Sequence, residues 1–356
     1  MSTKQIPVII LAGFLGSGKT TLLNHLLAQS RGTRIGAIVN DFGAIEIDAM
    51  AVAGQLGDST VSLGNGCLCC AVDASELDEY LEKLTRPAAR LDVIVIEASG
   101  LAEPQELVRM ILASENERIV YGGLAEVVDA AEFDATRERH PELERHLAIA
   151  DLVVLNKTDR VGEERLGRVL DTVAGLSGGT AVVRASYGRI DPELLFDPVV
   201  RPDGEEKARQ LSFDDLRSEE EAHDCDGGHL HATYESVSFT SDVPMDPRRL
   251  MEFLDTRPEG LYRIKGYVDF GTADVRNRYG VHAVGRFLRF YPELWGRDEP
   301  RITQLVLIGS GTDAEALGKE LAACRRDGAR GADAAAAADE HSMWGVLRYV
   351  QGEGEG

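Results

Sequence analysis

The eight residues Gly13-Phe14-Leu15-Gly16-Ser17-Gly18-Lys19-Thr20 constrain this chain more than any other stretch. They fit G-x-x-x-x-G-K-[ST], a loop whose backbone N–H groups cradle phosphate oxygens. The context fits as well: the apolar run Val8–Leu11 precedes the loop, and the amphipathic stretch Thr20–Ala28 follows it. A buried strand therefore runs into a glycine turn that opens a helix, whose positive dipole end faces the same anion. Gly13, Gly16, Ser17, Gly18, Lys19, Thr20 and Thr21 are the candidate phosphate-binding residues. Lys19 is expected to reach the β- and γ-phosphates, and the Thr20 hydroxyl to ligate Mg²⁺.

A strand of this kind needs parallel neighbours covered on both faces. Further apolar runs supply them at Ile35–Val39, Thr60–Leu63, Val93–Glu97, Gly122–Val128, Leu152–Leu155 and Ala181–Arg184, with helix-like stretches such as Glu103–Ala113 between. The expected fold is α/β: a mostly parallel phosphate-loop domain over residues 1–202, followed by a smaller α+β domain over 233–324. In the second part, strands are expected at Tyr234–Phe239, Leu261–Phe270, Val281–Phe290 and Ile302–Ile308. Helices are expected at Pro247–Leu254 and Thr312–Ala323. The 203–232 linker is acidic: residues 203–226 hold ten acids against three bases, which suits a solvated segment. Residues 325–356, with their alanine run and Gly-Glu ending, read as a flexible tail, with Trp344–Val350 as a segment able to dock.

Net charge is −22, which disfavours a nucleic-acid surface. The longest apolar runs have strand length, so no membrane association is expected. The N-terminus leads straight into the first strand without a signal-peptide pattern, and the five cysteines do not form a secreted framework. A cytoplasmic location is expected.

Two later motifs complete a nucleotide reading. Asn156-Lys157-Thr158-Asp159 follows the strand Leu152–Leu155, at a carboxyl end where open α/β sheets bind ligands. A carboxylate at Asp159 would accept the N1–H and 2-amino group of guanine, which adenine does not offer in that arrangement. Asn156 and Lys157 join it as candidate nucleotide residues, the Lys157 stem covering base or sugar. Glu97 ends another buried strand and is the candidate acid that acts through water on Mg²⁺ or on the attacking water. Gly100 is a candidate backbone donor to the γ-phosphate. Lys19, Thr20 and Glu97 are thus the catalytic candidates.

The stretch Gly64-Asn65-Gly66-Cys67-Leu68-Cys69-Cys70 concentrates three of the five cysteines between the phosphate loop and Glu97. Three readings stand: an exchangeable transition-metal site, a redox pair at Cys67 and Cys70, or burial of the thiols. The second arm of a closed structural zinc site is missing from this stretch. A second cluster, His223, Cys225, His229 and His231, lies in the acidic linker and reads equally as loose metal capture or as solvated histidines. His25 and His282 are read as packing residues.

Together, GFLGSGKTTLLNHLL, VNDFG (39–43), GNGCLCC, VIEASGLAEP (95–104), NKTD and the RIKGYV stretch (263–268) resemble the CobW family of metal-linked GTPases, over nearly the whole chain to about residue 324. The resemblance implies slow GTP hydrolysis coupled to delivery of a transition metal, with Zn²⁺ favoured and Co²⁺ the alternative, to a client metalloprotein docked on the C-terminal domain. It implies metal held by Cys67, Cys69 and Cys70. The family commonly places Glu in the segment written here Asn40-Asp41-Phe42-Gly43, and often another acid where this chain has Ala44. Asp41 is the better candidate carboxylate ligand, with Glu46 as substitute and Cys225, His229 and His231 as weaker ligands. Alternative readings are a nucleotide-controlled metal reservoir or sensor, or a cobalt or iron insertion factor for a metalloenzyme or cobalamin pathway. A homodimer is the candidate assembly.

Overall fold

The computed structural model describes residues 5–30, 32–40, 60–63, 74–100, 102–197, 234–297, 299–326 and 340–350. Its first part runs β1 (Ile6–Ala12), α1 (Lys19–Ala28), β2 (Ile35–Asn40), β3 (Thr60–Leu63), α2 (Ala74–Leu84), β4 (Val93–Glu97), α3 (Pro104–Ala113), β5 (Ile119–Asp129), α4 (Phe133–Arg139), α5 (Leu143–Ile149), β6 (Leu152–Asn156), α6 (Glu163–Leu176) and β7 (Ala181–Arg184). The strands form one seven-stranded sheet in the order β3-β2-β4-β1-β5-β6-β7. Every pairing in it is parallel.

The apolar runs are continuous because both faces are covered. Ile9 and Leu11 of β1 pack with Leu22, Leu23 and Leu26 of α1 on one face. Val8 and Ile10 pack with Ile94 and Ile96 beneath Leu77, Leu81 and Leu107 on the other. A single residue of register slip would exchange these two sets, so the sheet is pinned from both sides. Parallel strands also share a polarity. Ala12, Asn40, Leu63, Glu97, Asp129 and Asn156 therefore all end at one rim, the edge at which such sheets bind ligands.

The second part runs β8 (Glu235–Ser241), α7 (Pro247–Asp255), β9 (Leu261–Val268), β10 (Asn277–Val284), β11 (Phe287–Leu294), β12 (Thr303–Gly309), α8 (Ala314–Ala323) and α9 (Trp344–Leu347). Its five strands are antiparallel in the order β11-β10-β9-β12-β8. Asp246 caps α7 by accepting from the N–H groups of Arg248 and Arg249 at 2.9 and 3.1 Å. Asp313 does the same for α8. Such caps satisfy amides that the first helical turn leaves open.

One expectation is corrected here. Val281–Phe290 is not one strand but the inner halves of two, joined by a two-residue turn at Gly285-Arg286. The apolar residues on either side of Gly285 mask the turn in the sequence. Within the tail, the Trp344–Val350 segment does dock: Met343 and Val346 join the second core, and Phe290 N–H donates to Tyr349 O at 2.9 Å.

The two parts share buried contacts. Tyr262, Val284 and Ile308 enter the α1-side core of the first domain. His282 Nε2 hydrogen-bonds Tyr121 O at 2.9 Å, and burial pushes the imidazole down to about 4, so it stays neutral as a packing group. Asp151 accepts from Tyr121 Oη at 2.5 Å and Leu124 N at 2.9 Å. Gly285 (φ 51°) lies so close to Asp151 that a Cβ there would collide with the carboxylate. Gly285→Ala is accordingly expected to cost about 1–3 kcal/mol through left-handed strain and this clash. A urea midpoint lowered at unchanged slope would show it; an unchanged midpoint would mean that the junction relaxes freely.

Candidate nucleotide site

The turn after β1 works because of where its glycines sit. Gly13 (φ 139°) and Gly18 (φ 105°) occupy backbone conformations that L side chains rarely adopt. A Cβ on Gly13 would strike Val127 O, and one on Gly18 would strike Asn156 Nδ2. Gly18 is the N-cap of α1 and supplies no side-chain cap, so the first amides of the helix face the rim. Lys19, only 7% exposed, donates from Nζ to Gly13 O at 2.8 Å and to Phe14 O at 3.4 Å, which holds its ammonium over the loop. Ser17 is buried in the turn, whereas Gly16 and Thr21 are exposed.

Next to the lysine, Thr20 Oγ1 donates to Glu97 Oε1 at 2.6 Å. Strand pairing enforces this contact: Leu11 of β1 is opposite Glu97 of β4, and Ala98 N–H donates to Leu11 O at 2.9 Å. A hydroxyl and a carboxylate, both hard oxygen donors, thus converge beside the phosphate loop. The pair fits Mg²⁺, which takes oxygen ligands and retains water. Gly100 lies against Leu15, where a Cβ would come within 2.7 Å of the Leu15 amide nitrogen. The segment leaving Glu97 therefore touches the loop.

The guanine candidates serve two different roles. Asn156, 1% exposed, donates from Nδ2 to Ser17 O at 2.9 Å and accepts from Gly188 N at 3.0 Å. Both ends of its amide are engaged by protein, so it ties the loop to the segment after β7. Lys157 takes a left-handed φ of 59°, and its Nζ donates to Gly16 O at 2.6 Å and Asp129 Oδ2 at 2.7 Å. Its ammonium thus braces the loop against the end of β5. Thr158 fixes the next turn by donating to Ala185 O at 3.0 Å. Asp159, by contrast, is exposed in the short 3₁₀ turn Thr158–Arg160, open to a ligand.

Sequence reading missed several residues here. Asp129 ends β5 one residue beyond the apolar run Gly122–Val128, and an acid at a strand's carboxyl end is itself a signal. Ala185, Ser186 and Gly188 hydrogen-bond Thr158 and Asn156, and only tertiary contacts reveal them. A cleft of about 230 Å³ opens along the loop, lined by Phe14, Ser17, Asp129, Phe133, Arg139 and Lys157.

The metal candidates Asp41, Glu46, Cys67, Cys69, Cys70, Cys225, His229 and His231 lie outside the described residues. Among the described residues, no group of three or more His, Cys, Asp or Glu side chains is arranged to hold a metal ion. Cys324, the C-cap of α8, is buried, donates to Glu320 O at 3.3 Å, and burial pushes its thiol up to about 11. It is a packing cysteine, not a nucleophile. Among the described residues, no helix is long and apolar enough to cross a membrane.

Known proteins resemble this chain in both of its parts. Residues 7–184 match the model of the CobW/HypB/UreG nucleotide-binding domain, and residues 234–325 that of the cobalamin synthesis protein cobW C-terminal domain. A protein of Pseudomonas aeruginosa named zinc chaperone CobW is 34% identical over 353 residues, covering 89% of this chain and 91% of its own. A Schizosaccharomyces pombe protein named zinc-regulated GTPase metalloprotein activator 1 is 31% identical, covering 64% of this chain and 58% of its own. The solved structure of Zn(II)-bound YjiA GTPase from Escherichia coli covers 91% of this chain and 100% of its own, with 24% identity and a TM-score of 0.43. By its sequence and both of its domains, the chain belongs to the CobW/HypB/UreG family.

Proposed function

We propose that this chain is a GTP-hydrolysing zinc chaperone. What supports the reading is that the nucleotide candidates lie at the rim where the two strands preceding the metal candidates in the sequence end. Lys19, the Thr20–Glu97 contact and the exposed Asp159 lie at the carboxyl ends of the parallel strands. At that same end, β2 stops one residue before Asp41, and β3 stops at Leu63, immediately before the Gly64–Cys70 stretch. The names of the relatives supply the metal and the nucleotide.

In this reading the loop amides and Lys19 bind the phosphates, and Asp159 accepts from the guanine edge. Asn156 and Lys157 hold the loop and the guanine turn in register. Thr20 and Glu97 would hold Mg²⁺, which when bound neutralises charge on the phosphates. Hydrolysis breaks the bond between the bridging oxygen and the γ-phosphorus; water supplies the new oxygen, and GDP and phosphate leave. Slow intrinsic turnover is expected, because no arginine in the sequence can be assigned to the transferring phosphoryl group. Zinc is cargo, carried by Cys67, Cys69 and Cys70 with Asp41 as the carboxylate. The client is assigned to the C-terminal domain, whose sheet has an open face lined by Lys265, Tyr267, Tyr291 and Gln304.

Reciprocal linkage supplies the test. If GTP alters zinc affinity, zinc must alter GTP affinity by the same factor, of order 5–150-fold for ordinary couplings. Zinc is titrated with and without a non-hydrolysable GTP analogue, and the analogue with and without zinc. Matching factors are expected in wild type. Replacing Cys69 and Cys70 by Ser should reduce both to one while leaving nucleotide binding intact. Equal zinc affinity in the two nucleotide states would refute the coupled chaperone.

A further inference from the structure

One exposed aromatic side chain stands beside the nucleotide candidates with no role assigned above. Tyr187 follows β7 in the stretch Ala185-Ser186-Tyr187-Gly188-Arg189. It is 68% exposed, and among the described residues neither its hydroxyl nor its ring has a partner. Two observations separate it from an ordinary surface tyrosine.

The first is its backbone. Tyr187 has φ 55° and Gly188 φ 66°, and Arg189 N donates to Ser186 O at 3.1 Å. Positive φ at both central residues is the pattern of a type I′ turn, in which glycine, asparagine and aspartate dominate. A bulky aromatic residue is strained in the first of these places, and residues held in this way cluster at ligand sites. Glycine would make the same turn without strain, so the fold does not call for the ring.

The second is what holds the turn. Ala185 O accepts from Thr158 Oγ1 at 3.0 Å, Ser186 Oγ lies 3.1 Å from the same hydroxyl, and Gly188 N donates to Asn156 Oδ1 at 3.0 Å. On its other side Gly188 meets the first turn of α1, where a Cβ would come within 2.7 Å of Leu22 N and 3.0 Å of the Thr21 carbonyl carbon. The tip Tyr187-Gly188 is thus pinned between the segment that leads into Asp159 and the helix that follows the phosphate loop. A nucleotide with its phosphates on the loop and its base at Asp159 spans the same two elements.

We propose that Tyr187 is a base-stacking residue, its ring covering one face of the guanine while Asp159 reads the edge. The two contacts divide the work. Stacking adds affinity with little regard to the base, because every base has a π-face, whereas the edge hydrogen bonds discriminate. Without nucleotide the ring faces water; with it, the apolar body of the ring is covered and the hydroxyl stays wet. A turn fixed on both sides presents that ring with little backbone freedom left to lose on binding.

The inference rests on the nucleotide reading, and the experiment keeps the two apart. GDP, IDP and inorganic pyrophosphate, each with Mg²⁺, are titrated calorimetrically into wild type, Tyr187→Gly, Tyr187→Leu and Tyr187→Phe. Tyr187→Gly should weaken GDP and IDP alike by about ten- to hundredfold, the range for losing one base–aromatic stack, and leave pyrophosphate unchanged. Tyr187→Phe keeps the ring and should bind GDP within about twofold of wild type, while Tyr187→Leu should lose affinity as the glycine variant does. Because glycine adopts this φ freely, the loss should come without a lowered urea midpoint in the absence of nucleotide. Pyrophosphate affinity that falls with that of GDP, or a loss accompanied by a lowered midpoint, would mean that the tyrosine merely holds the turn and would overturn the stacking. So would Tyr187→Phe as weak as Tyr187→Gly, or GDP bound alike by all four proteins; either leaves the nucleotide site standing. Absence of GDP binding by wild type overturns both readings. Should the glycine variant not fold, the comparison of Leu with Phe decides, equal affinities counting against the proposal.

Discussion

Thr20→Val should leave nucleotide bound and the fold intact but lower single-turnover GTP hydrolysis by about 10²–10³, the usual cost of removing one group that acts on transition-state charge. Valine keeps the β-branched shape at the start of α1 and removes only the oxygen that meets Glu97 Oε1 at 2.6 Å. Glu97→Gln should cost a comparable factor, since it alters the other half of the same contact. The decisive comparison is the double variant. Groups that act as a unit are strongly non-additive. Thr20→Val with Glu97→Gln should therefore be little slower than either alone, whereas independent roles would multiply to about 10⁴–10⁶. Rapid-quench measurement of phosphate release in the four proteins distinguishes the two, and multiplied losses would sink the assignment of Thr20 and Glu97 to one Mg²⁺ site.

The motifs that sequence could reveal are those whose chemistry is local. The phosphate loop is read from eight consecutive residues because strand, turn and helix start are adjacent in the chain. Glu97 is legible because it ends an apolar run, and Asp159 because its four-residue motif follows another. The cysteine stretch was equally legible as a motif, but it lies outside the described residues, so its geometry stays with the sequence. What escaped reading depends on contacts across the chain. Asp129 acquires its role through Lys157, and Gly188 through Asn156, partners 28 and 32 residues away. The β10–β11 hairpin was lost for a different reason. Its turn is Gly285-Arg286, without the Asn-Gly or Asp-Gly pair that usually marks a two-residue hairpin, and apolar residues continue on both sides.

The same long-range contacts join the nucleotide end to the second domain. After β7, the chain fixes Thr158 through Ala185 O, reaches Asn156 through Gly188 N, and crosses α1, where His25 Nε2 hydrogen-bonds Ile190 O at 2.8 Å. It then receives Tyr234 Oη on Asp191 at 3.0 Å and Arg263 on Asp197 at 3.3 Å. Residues 185–197 therefore contact both the Asn156–Thr158 turn and the C-terminal sheet.

Selectivity for the base gives the second large effect. Asp159→Asn should weaken GDP binding by about 10²–10⁴, because a charged acceptor facing two donors supplies two charge-assisted hydrogen bonds of about 1.5–3 kcal/mol each. The fold should not suffer, since Asp159 is exposed and its turn is held by Thr158 and Ala185. The loss should also be specific. An asparagine amide offers one acceptor and one donor where aspartate offered two acceptors. Xanthine keeps the N1–H donor of guanine but replaces the 2-amino donor with a carbonyl acceptor. The variant should therefore bind XDP better than GDP, reversing the wild-type order. Competition of GDP, XDP and ADP against a fluorescent nucleotide measures all three affinities in both proteins. A uniform loss across the three would mean that Asp159 merely supports the turn. Reversal between GDP and XDP, with ADP weak throughout, requires its carboxylate to read the base edge.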